Sequence, residues 1–330
     1  MENFLFAVRA DLPILITILC GTVFSSLVKW DKIHYKKLNV IVFRFLLPIQ
    51  LFYSVYTIES ITSVNWKMLG YFMIATLICI GMGVAVACFS IKKREQKPVI
   101  IQASFRTNIA VIGSSLVTAI CTDTLAESMA LTSLAICASS VINNIAAVIV
   151  LRYYSSETVN GRTILKGVVT NPLVIGSLAG LACLLVRELF MQNIPFRLET
   201  SFPSLFKVIS NFYKASSPMA LFCLGAQLDF KAGKTMLREI SLGVTLRLVL
   251  CPAVVIGLAF LLKGPLSLTT VETPALIAFA ASPLAVSSAI MVQEMGGDHQ
   301  LANHLVVWSS VFSMISLFII IFLMRSLGWL

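Results

Sequence analysis

Ten separate runs of about twenty apolar residues, nearly free of charge, constrain this 330-residue chain more than any other feature. They are Leu12–Val28, Leu38–Ile58, Met68–Ile91, Pro98–Ala119, Ser128–Leu151, Gly167–Val186, Val208–Leu228, Ile240–Leu262, Thr273–Gln293 and Leu305–Met324. A helix of that length crosses the hydrocarbon of a bilayer, so the pattern predicts an all-α membrane protein with ten transmembrane helices. The runs are continuous rather than alternating, which excludes a membrane β-barrel. Composition agrees, with 58% of residues apolar and 12% charged. Soluble chains average about 45–50% and about 25%. A soluble enzyme, a disordered chain and a secreted disulfide scaffold are excluded.

The first run is read as a span and not as a signal peptide, because Arg9 and Asp11 flank it poorly and no small-residue cleavage site precedes Lys29–Lys37. The net charge of +10 is assigned to loops and not to nucleic acid. Fourteen Lys and Arg residues fall in the first, third, fifth and seventh connections, against seven on the other side. The positive-inside rule then puts the odd connections in the cytoplasm and both termini outside, in the cell inner membrane. Most cysteines, such as Cys20, Cys79, Cys137 and Cys251, sit inside apolar runs and read as small core residues.

The chain repeats weakly. Phe43-Arg44, Pro48, Leu51 and Phe52 align with Tyr213-Lys214, Pro218, Leu221 and Phe222, and Pro98 aligns with Pro274. Five spans per half is odd, so the halves are expected to be inverted relative to each other, a transporter architecture. The boundaries are 1–152 for the first repeat, 153–166 for a cytoplasmic connection and 167–330 for the second repeat.

In inverted repeats the site lies where corresponding helices are interrupted. Asn108 lies ten residues after Pro98, and Pro283 ten after Thr273. At about 1.5 Å per residue both are about 15 Å deep, near the bilayer centre. Pro283 cannot continue a helical ladder, and Ser282 and Ser287 flank it. Half-helix N-termini at that depth favour an anion. Arg106 and Arg247 are deep as well, and an ionisable residue at depth marks a cavity or a partner. The expected substrate-binding set is Arg106, Thr107, Asn108, Ser282, Pro283, Ser287 and Arg247. Ser139, Ser140, Asn143 and Asn144, with Ser309, Ser310 and Ser313, either line a polar core or join helices. Arg44 and Lys214 can snorkel to the interface.

None of the fifteen Asp and Glu residues lies at the centre of a run, which argues against a cation exchanger working through paired membrane carboxylates. His34, His299 and His304 form no metal motif, and no nucleophile elbow or Walker loop is present. No catalytic residue, metal or cofactor is expected.

The ten runs, Asn108 followed by Gly113, Pro283 followed by Gly296-Gly297-Asp298, and Asn171-Pro172 at the sixth run together resemble the auxin efflux carrier family. The resemblance covers nearly the whole chain. That family includes plant auxin exporters and bacterial permeases, some assigned to malonate. It implies helices 4 and 9 broken and crossing, as in sodium/proton antiporters. Family crossovers often carry proline in the fourth span, where this chain has Thr107 before Asn108.

The resulting expectation is a secondary transporter or facilitator of small organic anions, with the lipid bilayer and the substrate as partners and a homodimer left open. A sodium-coupled symporter of similar fold is the first rival, and a polytopic membrane enzyme or receptor the second. The topology generates a first prediction. In a cysteine-free background, Ser156→Cys should resist an impermeant thiol reagent in intact cells and react after permeabilisation. Labelling in intact cells overturns the orientation.

Overall fold

The computed structural model describes residues 2–28, 30, 32–57, 65–121, 124–155, 161–190 and 197–330. Lys29, Ile58, Asp123 and Ser156, used in the sequence argument, lie outside them. Among the described residues no strand forms, and the one extended pairing is an isolated antiparallel bridge between Thr107 and Leu284.

In chain order the helices are α1 (Glu2–Val28), α2 (Lys32–Ile41), α3 (Leu47–Tyr56), α4 (Trp66–Ser90), α5 (Lys97–Phe105), α6 (Ser114–Ile120), α7 (Leu125–Ser155), α8 (Gly161–Val169) and α9 (Pro172–Phe190). The chain continues through α10 (Leu198–Ser201), α11 (Pro203–Gln227), α12 (Phe230–Thr235), α13 (Leu237–Thr245), α14 (Cys251–Leu261), α15 (Lys263–Leu266), α16 (Glu272–Ala281), α17 (Val286–Met295) and α18 (His299–Ser326). Among the described residues four stretches are each long and apolar enough to cross a membrane: Ile33–Tyr56, Trp66–Ser90, Leu237–Leu261 and His299–Ser326. Their outer faces are apolar, with Ile74, Leu77 and Phe89 of α4 and Leu261 of α14 exposed. Phe89 is 91% exposed, a face that suits lipid and not water.

Two of the long stretches bend at wide turns, and proline explains both. The turn Val42–Leu46 joins α2 to α3, and Leu47 N–H donates to Val42 O five residues back. Pro48 has no N–H for the Arg44 carbonyl, and its ring crowds that carbonyl, so the turn opens. The turn Leu246–Leu250 joins α13 to α14 in the same way, with Cys251 N–H donating to Leu246 O ahead of Pro252. This second turn carries Arg247 into the interior, where it is 2% exposed.

The sixth run does not begin at Gly167, as the charge boundary suggests. α8 is a separate short helix bearing Arg162 and Lys166, and α9 starts at Pro172. Asn171 Oδ1 accepts from Leu173 N–H at 2.9 Å and from Val174 N–H at 3.4 Å. A capping Asn followed by proline at the first helical position is a strong start signal.

α1 packs along α11, and α9 along α3. Glycines bring both pairs close: Gly21 faces the Phe222 carbonyl, Gly225 faces Ile18, and Gly176 and Gly180 face Pro48 and Phe52. Thr22 Oγ1 donates to Gly225 O at 2.9 Å across the first pair. Small residues that let backbones approach are the usual glue between helices in lipid.

A methyl group at Gly225 would meet backbone, which cannot move aside cheaply, whereas nothing lies near Gly81. Gly225→Ala should therefore destabilise the purified protein by about 1–3 kcal/mol, read as a lower Tm. Gly81→Ala should leave Tm unchanged or slightly raised.

Candidate functional site

α5 and α16 are the most enclosed elements, with Pro98–Phe105 and Thr273–Ala281 buried throughout. Nine or ten residues at about 1.5 Å each reach about 15 Å, half the hydrocarbon thickness. Both helices end inside the protein. The α16 end is local: Ser282 precedes Pro283 and adopts an extended conformation (φ −61°, ψ 142°), as residues before proline prefer. The α5 end has no proline. Arg106 turns extended there (φ −83°, ψ 93°), and tertiary contacts hold it so.

The two interruptions cross and bond to each other. Asn108 N–H donates to Pro283 O at 2.8 Å, and Ala285 N–H donates to Arg106 O at 3.0 Å. Ser309 Oγ of α18 accepts from Leu284 N–H at 3.2 Å. The chain then resumes as a wide turn, Ile109–Gly113, leading into α6, and as α17.

Beside the crossing is a cavity of about 100 Å³. Its polar lining comes from Arg106, Thr107 and Asn108, from Gln50 and Ser54 of α3, from Ser139, Ser140, Asn143 and Asn144 of α7, from Ser217 of α11 and from Ser287. Leu47, Leu51, Ile136, Leu173 and Ala220 are among its apolar lining, and no carboxylate lines it among the described residues.

Arg106 is 4% exposed. Its Nη2 donates to Ser287 Oγ at 2.8 Å and its Nε to Ser288 Oγ at 2.9 Å. Nη1 reaches Asn144 Oδ1 at 3.1 Å, Asn143 O at 3.4 Å and Met291 Sδ at 3.4 Å. All of these partners are neutral. Asn144 is held in turn by Ser177, to which its Nδ2 donates at 3.0 Å. The first turn of α17 opens on the same cavity, and Ala285 at its cap provides no side-chain acceptor. Thr107 Oγ1 and Asn143 Oδ1 are buried with no protein partner among the described residues.

Of the seven residues singled out from the sequence, Arg106, Thr107, Asn108 and Ser287 surround this cavity. Ser282, Pro283 and Arg247 do not line it. The Ser282 hydroxyl turns back to Ala278 O at 2.6 Å, and Pro283 contributes its carbonyl to the crossing. Arg247 lies behind the crossing, with its donors on backbone carbonyls. Gln50, Ser54 and Ser217 escaped the sequence reading. Gln50 and Ser54 are polar residues one helical turn apart in an apolar run, and that is the signal they leave. Gln50 Nε2 donates to Ser217 Oγ at 2.8 Å and joins α3 to α11 over the cavity.

Apolar helices with lipid-suited faces and an internal polar cavity at two broken helices define a multi-pass membrane protein. Residues 155–321, just over half of the chain, match a family described as membrane transport protein. The chain belongs to this family and is a membrane transporter. The match takes in α16, α17 and Arg247, while α5 and Arg106 precede it. No curated protein matches the chain significantly.

The bonding around Arg106 generates a paired prediction. Asn144→Leu removes an acceptor from a buried guanidinium and should cost about 1–3 kcal/mol, seen as a lower Tm of the purified protein. Thr107→Val removes a hydroxyl with no protein partner and should not lower Tm.

Proposed function

We propose that the chain is a secondary transporter or facilitator that moves small organic anions, carboxylates above all, by alternating access at the crossing. The observation that carries this reading is Arg106: among the described residues, a buried guanidinium whose partners are all neutral, on the wall of a cavity that no carboxylate lines. A deep arginine costs at least about 2.5–3.5 kcal/mol on insertion scales, and an arriving anion offsets part of that cost. The α17 first turn adds a positive dipole end on the same wall. The cavity admits a small solute, with room for several water molecules. Asn108 supplies an amide donor, and Thr107 a hydroxyl without a protein partner.

The same reading takes the fold as ten spans in two inverted five-helix repeats, with the crossing made by corresponding helices. Reciprocal packing supports it: α1 of the first half lies on α11 of the second, and α9 of the second lies on α3 of the first. The cavity sits between α3 and α11 on one side and the crossing with α7 on the other, where rocking of one group against the other would open it in turn to each side. In the inner membrane, with the basic connections inside, efflux of one negative charge gains about 2.3 kcal/mol per 100 mV.

The test uses purified, monodisperse protein and counterflow of radiolabelled mono- and dicarboxylates in proteoliposomes. Arg106→Lys keeps the charge and loses the planar fork, so affinity should fall about tenfold. Arg106→Gln and Asn108→Ala should weaken it further. Undiminished affinity in folded Arg106→Gln shows the arginine to be structural and sinks the reading.

A further inference from the structure

Arg247 binds the back of the crossing through four backbone carbonyls. Nε donates to Ser282 O at 2.9 Å and Nη1 to Ser104 O at 3.1 Å. Nη2 donates to Ala280 O at 2.6 Å and to Phe279 O at 3.4 Å. Ser104 lies in the last turn of α5, and Phe279 and Ala280 lie in the last turn of α16. Last-turn carbonyls have no partner within their helix. Each helix C-terminus carries the equivalent of about −0.5 charge, so the two together present about −1, which one guanidinium balances. Four carbonyl oxygens converging on one charge are also a ligand set suited to a hard, dehydrated cation. The neighbouring space, about 10 Å³ lined by Thr76, Cys79, Cys251 and Val255 among others, has no carboxylate among the described residues to share the task.

We propose that Arg247 is the built-in cation of this transporter: it fills the carbonyl cage formed by the C-terminal ends of α5 and α16, so the crossing takes no mobile coupling cation there. The positive charge that a sodium-coupled carrier would borrow at each cycle is here covalently fixed. Arg247 is thus a positioning residue, holding the ends of both broken helices while Arg106 and the α17 first turn face the substrate. Its consequence for coupling rests on the transport reading above; the cage itself does not.

The cage is tested without any substrate. Detergent-purified wild type, Arg247→Ala and Arg247→Lys are melted in choline, sodium or guanidinium chloride at matched low-millimolar concentration. Arg247→Ala should melt below wild type. Guanidinium or sodium should raise its Tm saturably, by about 2 °C or more, through binding in the vacated cage. Wild type and Arg247→Lys, whose tethered ammonium remains in place, should not respond. In proteoliposomes, wild-type counterflow of radiolabelled malonate should be equal in sodium and choline, and the cation that stabilises Arg247→Ala should restore its counterflow. A folded Arg247→Ala that responds to no cation more than wild type does overturns the proposal, as does sodium-dependent wild-type counterflow. If Arg247→Ala yields no monodisperse protein, a folded, cation-insensitive Arg247→Lys together with sodium-independent wild type supports it. A cation-responsive Arg247→Lys overturns it. Absence of malonate counterflow in wild type counts against the carboxylate reading and leaves the melting result to decide the cage.

Discussion

A helix that ends inside hydrocarbon leaves peptide groups that no water can satisfy, and the whole centre of this protein answers to that constraint. α5 and α16 are each about 15 Å long, and both end inside the protein. Each segment that follows is extended and leaves part of its backbone without helical bonds. Crossing them lets Asn108 bond to Pro283, and Ala285 to Arg106, so the polar backbone of one break satisfies that of the other. Ser309 takes the N–H of Leu284 from a third helix. Neither break could be buried alone, which makes the pairing a condition for the fold and not an addition to it.

The helix ends created by the breaks are treated differently according to their sign. The C-terminal ends, partially negative, are capped from within by Arg247. The first turn of α17, partially positive, faces the cavity with no side-chain cap at Ala285. Arg106 stands beside that turn, and it bonds Ser287 and Ser288, residues of the turn itself. Positive charge is thus gathered on the cavity side with no negative partner among the described residues, while on the far side the helix ends balance it. A field arranged in this way is what the proposed anionic substrate would need.

The fold was legible in the sequence wherever one residue type dictates local backbone. The apolar runs mark the long helices, and Pro283 marks the end of α16, because the residue before proline turns extended and proline has no N–H to donate. The break at Arg106–Asn108 carries no such mark. Thr107 and Asn108 are only poor helix formers, and the turn is fixed by contacts with Ser287, Ser288, Asn144 and residues 283–285, all distant in sequence. Charge boundaries misplaced the start of α9, since Asn171 and Pro172 determine it by capping geometry and not by polarity. The two deep arginines looked alike as deep charges. What separates them is whether their donors meet carbonyls at helix C-termini or hydroxyls and an amide on a cavity wall, and that depends on which side of the crossing the turn at Leu246–Leu250 delivers Arg247.

Away from Arg106, α3 and α17 are joined to α11 by contacts of one chemical kind. Gln50 reaches Ser217 between α3 and α11, and Gln293 of α17 reaches Gln227 of α11 at 2.7 Å while accepting from Asn39 of α2. These are neutral hydrogen bonds, each with a net worth of about 0.5–1.5 kcal/mol. Removing one partner of a buried ion pair costs about 3–5 kcal/mol, because an uncompensated charge stays behind. Arg247 fixes the helix ends behind the crossing and Arg106 ties the crossing to α7, whereas neutral amides and hydroxyls join α3 and α17 to α11. Such a division makes the joints of α3 and α17 with α11 less costly to part than the bonds that hold the crossing, which is what the proposed alternating access asks of them.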